Sequence, residues 1–166
     1  GAWHDGLSND VSSGWACNGR FTEKQKLLYE CAQKTTNHMC EIIRPGMKMA
    51  NVDKTARAYN AGMLKEAGVL KRTEDIGTFM WHGGAHHVGY DVHDVVDFSI
   101  GSIASGMVFC VDIGIYHEEW GIGFRLEDNC LVTEEGCENL SVITPRTEEE
   151  IEDTMKRGLT AGCSGR

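Results

Sequence analysis

Four of the seven histidines in this 166-residue chain fall between Trp81 and Asp94, in the run WHGGAHHVGYDVHD. His82, His86, His87 and His93 are interleaved with Gly83, Gly84 and Gly89. Glycine at that density works against a helix and favours extended backbone with bends. An imidazole is a common metal ligand and the side chain most easily set as acid or base near neutral pH. One histidine here would read as an exposed polar loop; four in one glycine-interrupted run read as a site.

Three carboxylates on other extended segments complete the chemistry. Asp112 interrupts the apolar run MVFCVDIGIY, where an unpaired buried carboxylate costs several kcal/mol, so it needs a partner. Glu127 alternates with Arg125 and Asn129 on one face of the next strand, with Phe124, Leu126 and Leu131 supplying apolar surface elsewhere. Asp10, taken alone, reads as an edge carboxylate on a short strand. Together Asp10, His86, Asp112 and Glu127 form a mixed imidazole and carboxylate set suited to a divalent ion. Three acids to one imidazole favour manganese or iron over a closed structural zinc site, with cobalt and zinc as alternatives. A bridging carboxylate would allow a binuclear centre that activates a water.

These residues need elements to hold them. Residues 1–15 read as a hairpin with Asp5-Gly6 as a type I′ turn. Thr22 and Gln25 form a capping-box pattern, predicting a helix from about Glu23 to Arg44, which Pro45-Gly46 stops. A second helix is expected from about Val52 to Ala67, with Gly68 just past its end. Both apolar stripes, methionines included, read as core packing without chemistry. After the histidine run and a turn at Gly101 to Gly106, strands are expected at Met107–Tyr116, Gly121–Thr133 and Leu140–Ile143. Thr147 and Glu150 mark a last capping box, for a helix ending near Gly158, with a frayed tail from Leu159.

Composition narrows the class. The chain is 41% hydrophobic and 25% charged, ordinary for one globular domain, and no repeat or linker divides it. A formal net charge of -9 disfavours nucleic acid and anionic membrane surfaces as partners. No apolar run approaches a membrane span and no signal-peptide pattern opens the chain. The seven cysteines are never spaced C-x-x-C, so reduced thiols in a cytoplasmic protein are expected rather than a disulfide framework.

HGGAHHVGYDVHD resembles the H-G-x-x-H-x-x-G-x-x-x-H-D motif of aminopeptidase P and prolidase, the Xaa-Pro peptidases of the pita-bread fold. MVFCVDIGIY and GIGFRLEDNCLVTEEGCENLS are similar to that family's two ligand-bearing strands, and NDVSSGWACNGRFTEKQKLLYE to its second metal-aspartate segment and following helix. The resemblance implies an α+β fold, mostly the C-terminal portion of the pita bread, with an antiparallel sheet and helices on the outside. It also implies Asp10, His86, Asp112 and Glu127 as metal ligands, Asp10 and Glu127 bridging a binuclear centre. His82 and His93 would contact substrate and stabilise the transition state, and Arg125 would orient nearby groups and substrate. Glu127 or Asp112 would handle the proton of the metal-activated water that cleaves an Xaa-Pro peptide bond.

The pattern departs from the family at three places. Gly1 aligns with the glycine of a D-x-G motif, so the first aspartate ligand and the upstream half of the fold would lie before this chain. Residues 1–166 would then be a partial catalytic domain, weak or inactive alone, whose expected partners are its own N-terminal part, a small peptide substrate and a second copy in a homodimer. Asp112 stands where the family has glutamate. Ser13 and Ile113 stand where it has arginine and proline. Two alternatives share the scaffold: a non-peptidase enzyme, creatinase-like or a small-molecule lyase, and a catalytically impaired binding module.

Overall fold

Asp5 and Gly6 take φ angles of 50° and 84°, the two left-handed residues that a type I′ turn demands. They join β1 (Trp3–His4) to β2 (Leu7–Ser8) in an antiparallel pair. The computed structural model describes residues 2–95 and 101–163, so Gly1 lies outside the described residues. The hairpin is shorter than the sequence suggests. It ends at Ser8, whose N–H is taken by the Gly89 carbonyl at 2.6 Å, and Asp10 follows it on an extended segment rather than on the strand.

Helix α1 spans Glu23–Ile42. Its capping box forms: Gln25 N–H donates to Thr22 Oγ1 at 3.4 Å, and Thr22 N–H donates to Gln25 Oε1 at 2.9 Å. Helix α2, Met49–Glu66, starts three residues before the expected Val52. Its N-cap is Lys48, which supplies no capping side chain, so the sequence carried no start signal there. A short 3₁₀ turn at Thr73–Thr78 leads into the histidine run, of which only Ala85–His87 is strand, β3.

The remaining strands are β4 (Val108–His117), β5 (Ile122–Val132) and β6 (Cys137–Asn139), and the sheet runs antiparallel in the order β3-β4-β5-β6. The last strand lies earlier than the expected Leu140–Ile143. Asn139 Oδ1 accepts from Ser141 N–H at 2.7 Å, an Asx-type bond that turns the chain, and Val142 and Ile143 are left exposed. Helix α3, Glu148–Cys163, opens on the Thr147–Glu150 box and continues past Gly158. One interior glycine costs only about 1 kcal/mol, too little to end a helix whose first turn carries three glutamates at the positive pole.

Strand alternation sorts the sheet into two faces. Phe109, Val111, Ile113 and Ile115 of β4 and Phe124, Leu126, Cys130 and Val132 of β5 face a core shared with Leu28, Ala32 and Met39 of α1. Each fully buried leucine or phenylalanine here contributes about 1.5–3 kcal/mol. Leu131 does not join them: it has the parity of Arg125, Glu127 and Asn129 and is half-buried on the other face. That second face carries the polar chemistry. Among the described residues no helix is long and apolar enough to cross a membrane.

Candidate metal centre

Register alone builds the site. Cys110 of β4 stands between His86 of β3 and Asn129 of β5, Asp112 stands opposite Glu127, and Gly114 stands opposite Arg125. Because side chains alternate along a strand, His86, Cys110, Asp112, Arg125, Glu127 and Asn129 all project from the same face. His87 projects from the opposite one, where it is buried edge-on to Phe109 with ring centroids 6.2 Å apart. The edge of β5 beyond Glu127 is occupied by the segment after the hairpin. Ser12 and Glu127 exchange main-chain hydrogen bonds of 3.3 and 3.0 Å, which carries Asp10 up to the site.

Glu127 is fully buried at the centre. Its Oε1 lies 2.8 Å from His86 Nε2, and its Oε2 accepts from Ser12 Oγ at 2.8 Å and from Arg125 Nη2 at 3.4 Å. Burial works to raise its pKa, but the bonds from His86 and Ser12 and the Arg125 charge hold the carboxyl below its ordinary value. For His86 burial pulls downward, and the Glu127 carboxylate reverses it, leaving the imidazole above its ordinary value. His93 meets the His86 ring at right angles, centroids 4.4 Å apart.

Among the described residues two groups of donor atoms gather within 4.8 Å: Asp10, His86 and His93, and His86, Cys110 and Glu127. Of the four expected ligands, Asp10 and Glu127 each share a group with His86 but not with each other. Asp112 is close by but engaged elsewhere. Its Oδ1 accepts from Arg125 Nε at 2.8 Å and its Oδ2 lies 3.6 Å from His82 Nδ1. Burial pushes the Asp112 carboxyl up even so, and the bond to Asp112 pushes the Arg125 guanidinium up. A nitrogen, oxygen and sulfur set around one point fits a divalent ion such as zinc, cobalt or manganese in chemistry and spacing.

A cleft of about 320 Å³ opens beside these groups, lined by His82, His86, His93, Asp112 and Arg125 among others. His82 is held over it by Tyr116, whose hydroxyl is 3.0 Å from His82 Nε2 and whose ring stacks on Trp81 at 4.5 Å. Gly114 makes this possible, since a methyl group there would collide with His82 Nε2 and lie 2.7 Å from the Tyr116 hydroxyl oxygen.

The loop itself is pinned from α2. Arg57 sends its Nε to both oxygens of Asp53, Nη1 to the Met80 carbonyl at 2.9 Å and Nη2 to the His82 carbonyl at 2.7 Å. Asp53 Oδ1 accepts from Gly84 N–H at 2.9 Å. A helix read only as packing therefore aims the histidine run. The i,i+4 Asp–Arg pair was the available signal, although such pairs are usually solvated. Arg146, ahead of α3, closes the far side: it donates to the Ser12 and Glu127 carbonyls, each at 2.7 Å, and pairs with Asp128. Cys110 and Tyr116 share the parity of Asp112, so alternation would have placed both on this face.

Comparison with known proteins points the same way. Residues 1–134 match the sequence model of metallopeptidase family M24. The chain is 30% identical over 174 aligned residues to an Xaa-Pro aminopeptidase of Escherichia coli, covering 93% of this chain and 39% of that protein. It is 33% identical to an Xaa-Pro aminopeptidase of Haemophilus influenzae, covering 89% of this chain and 39% of that one. The fold superposes on E. coli aminopeptidase P, solved with the inhibitor Pro-Leu, with a TM-score of 0.84 at 29% identity, covering 93% of this chain and 39% of that one. Pseudomonas aeruginosa aminopeptidase PepP gives a TM-score of 0.86 at 29% identity, covering 95% and 40%. The chain spans about two fifths of the length of these relatives.

Proposed function

Since the chain belongs to metallopeptidase family M24, we propose that it serves a metal-dependent peptidase that cleaves the bond before proline, as the names of its relatives describe for them. The observation that carries the reading is the convergence of His86 with buried Glu127 at 2.8 Å, with Asp10, His93 and Cys110 around them. Asp10, His86 and Glu127 would hold the ion, and Asp112, with its Oδ1 engaged by Arg125, would offer a second ion its Oδ2. A divalent ion held there would supply Lewis acidity to the scissile carbonyl and to an attacking water.

The chain's own groups do the rest. Glu127, kept ionised by His86, Ser12 and Arg125, takes the proton of the attacking water. His82 and His93 line the cleft and face the charge that develops on the carbonyl oxygen. Arg125 fixes Asp112, which stands beside His82, so the ion pair orients a substrate-contacting imidazole. The test is hydrolysis of an Ala-Pro peptide by the metal-loaded protein before and after chelation. Turnover that chelation abolishes and added metal restores supports the reading; turnover indifferent to chelation overturns it.

The Asp112–Arg125 ion pair favours one second reading. With a carboxylate withdrawn from the donor set, the chain would bind metal and peptide without turning the peptide over. Peptide binding by calorimetry with no hydrolysis at any metal loading selects it.

A further inference from the structure

We infer that Cys110 is a metal donor of this chain, its thiolate completing with His86 and Glu127 a nitrogen, oxygen and sulfur set that selects zinc or cobalt over manganese. The inference rests on the metal centre proposed above and concerns which atoms hold the ion. Cys110 is fully buried, and it stands in register beside His86 on one side and Asn129 on the other. Its sulfur lies 3.2 Å from Asn129 Oδ1 and 3.6 Å from the Asp10 carbonyl. Both accept from the thiol hydrogen, so forming the thiolate gives up these bonds and the cation bound at sulfur must offset their loss.

The donor atoms of His86, Cys110 and Glu127 all lie within 4.8 Å of one another. Metal bonds of about 2.0–2.1 Å to nitrogen and oxygen and 2.3 Å to sulfur bring tetrahedral donors roughly 3.3–3.6 Å apart, so a modest inward shift closes the set. Asp112, two residues further along the same strand face, is occupied by Arg125 at 2.8 Å and joins neither group of convergent donors. The strand therefore offers sulfur where a second oxygen was expected. Sulfur changes the selection: thiolate is a soft ligand that favours zinc and cobalt, whereas manganese prefers oxygen. On binding, the thiol proton leaves to solvent as the metal–sulfur bond forms.

Cobalt(II) alone, titrated into metal-free protein, tests this without any assay of activity. A thiolate-to-cobalt charge-transfer band in the near ultraviolet is expected, persisting in Cys130→Ser, which disrupts the thiol pair Cys40–Cys130 3.4 Å apart on the other face. Cys110→Thr should lose the band while still binding cobalt by equilibrium dialysis. Its preference for zinc over manganese should fall at least about tenfold. Cobalt bound to the parent without the band, or a band that survives Cys110→Thr, overturns the inference and leaves the metal centre standing. Failure of the parent to bind cobalt at all overturns both.

Discussion

Arg125 reaches diagonally across the strand pair to Asp112, Nε to Oδ1 at 2.8 Å, and so occupies a carboxylate that the motif assigns to metal. Asp112 is 6% exposed and Arg125 40%, so the acid's burial is offset by a partner that keeps contact with water. Arg125 also touches Glu127 at 3.4 Å. One guanidinium thus sets the charge felt by two candidate ligands.

Removing the charge of Asp112 should shift that balance. In Asp112→Asn, Arg125 loses its closest anion and moves onto Glu127, weakening metal binding, with a stability loss of about 1 kcal/mol once its exposure is discounted. Asp112→Glu keeps the charge but moves the carboxylate one methylene from its contact with Arg125, and should weaken binding less. Titration of both variants with zinc checks the order. Tighter binding by the glutamate variant would show instead that the site is slack.

Adjacent histidines on opposite faces of β3 should behave differently. His86→Ala is expected to lower metal affinity at least about tenfold. His87→Ala should leave metal content unchanged and lower stability through lost packing at Phe109. Elemental analysis after dialysis, beside a denaturation curve, separates the two. Equal metal loss in both variants would remove His86 from the ligand set.

Gly114→Ala tests the positioning of His82. The added methyl displaces His82 and Tyr116 from their 3.0 Å contact, while the candidate metal donors are one register step or more away. Metal content should hold, and in any form of the protein that turns over an Ala-Pro peptide kcat should fall about 10²-fold, a typical cost of misplacement near 1 Å. An unchanged kcat would show that His82 has no part in the reaction.

The His86–Glu127 pair should contribute most to the stability of the metal-free protein between the ordinary values of glutamate and histidine, 4.5 and 6.5. His86 is raised in the fold, so its contribution is complete below 6.5 and is lost as pH rises through the higher folded value. Glu127 is lowered, so its contribution is complete above 4.5 and is lost as pH falls through the lower folded value. Urea denaturation across this range, in parent and His86→Gln, is the measurement. The variant should lack the fall on the alkaline side; the same fall in both would assign it to another group.

Much of this was legible before any coordinates. Capping boxes at Thr22–Gln25 and Thr147–Glu150 are local hydrogen-bond codes, and both form. The alternation of Arg125, Glu127 and Asn129 fixed a common face, and the fold and family follow the motif run. Other features depend on partners distant in the chain. Asp53 and Arg57, opposite charges one helical turn apart on α2, gain their role only from the loop at Met80–Gly84 laid against them. Cys110 read as a buried thiol because its neighbours, His86 and Asn129, come from two other strands. Leu131 and the last strand were misplaced where apolar composition was followed instead of parity and turn chemistry.

Arg146 ties the segment around Ser12 to β5 through two carbonyls, while its own carbonyl accepts from the Tyr29 hydroxyl of α1 at 2.8 Å. No one of these pieces can leave without breaking bonds to the others, so they should open as a single cooperative unit rather than fray in turn. Amide hydrogens of Ser12, Glu127 and Ile151, from three separate stretches of chain, would then exchange with one shared opening free energy. The candidate ligand carboxylate of Glu127 belongs to that unit, so any metal it holds should load and unload with the anchoring of α3.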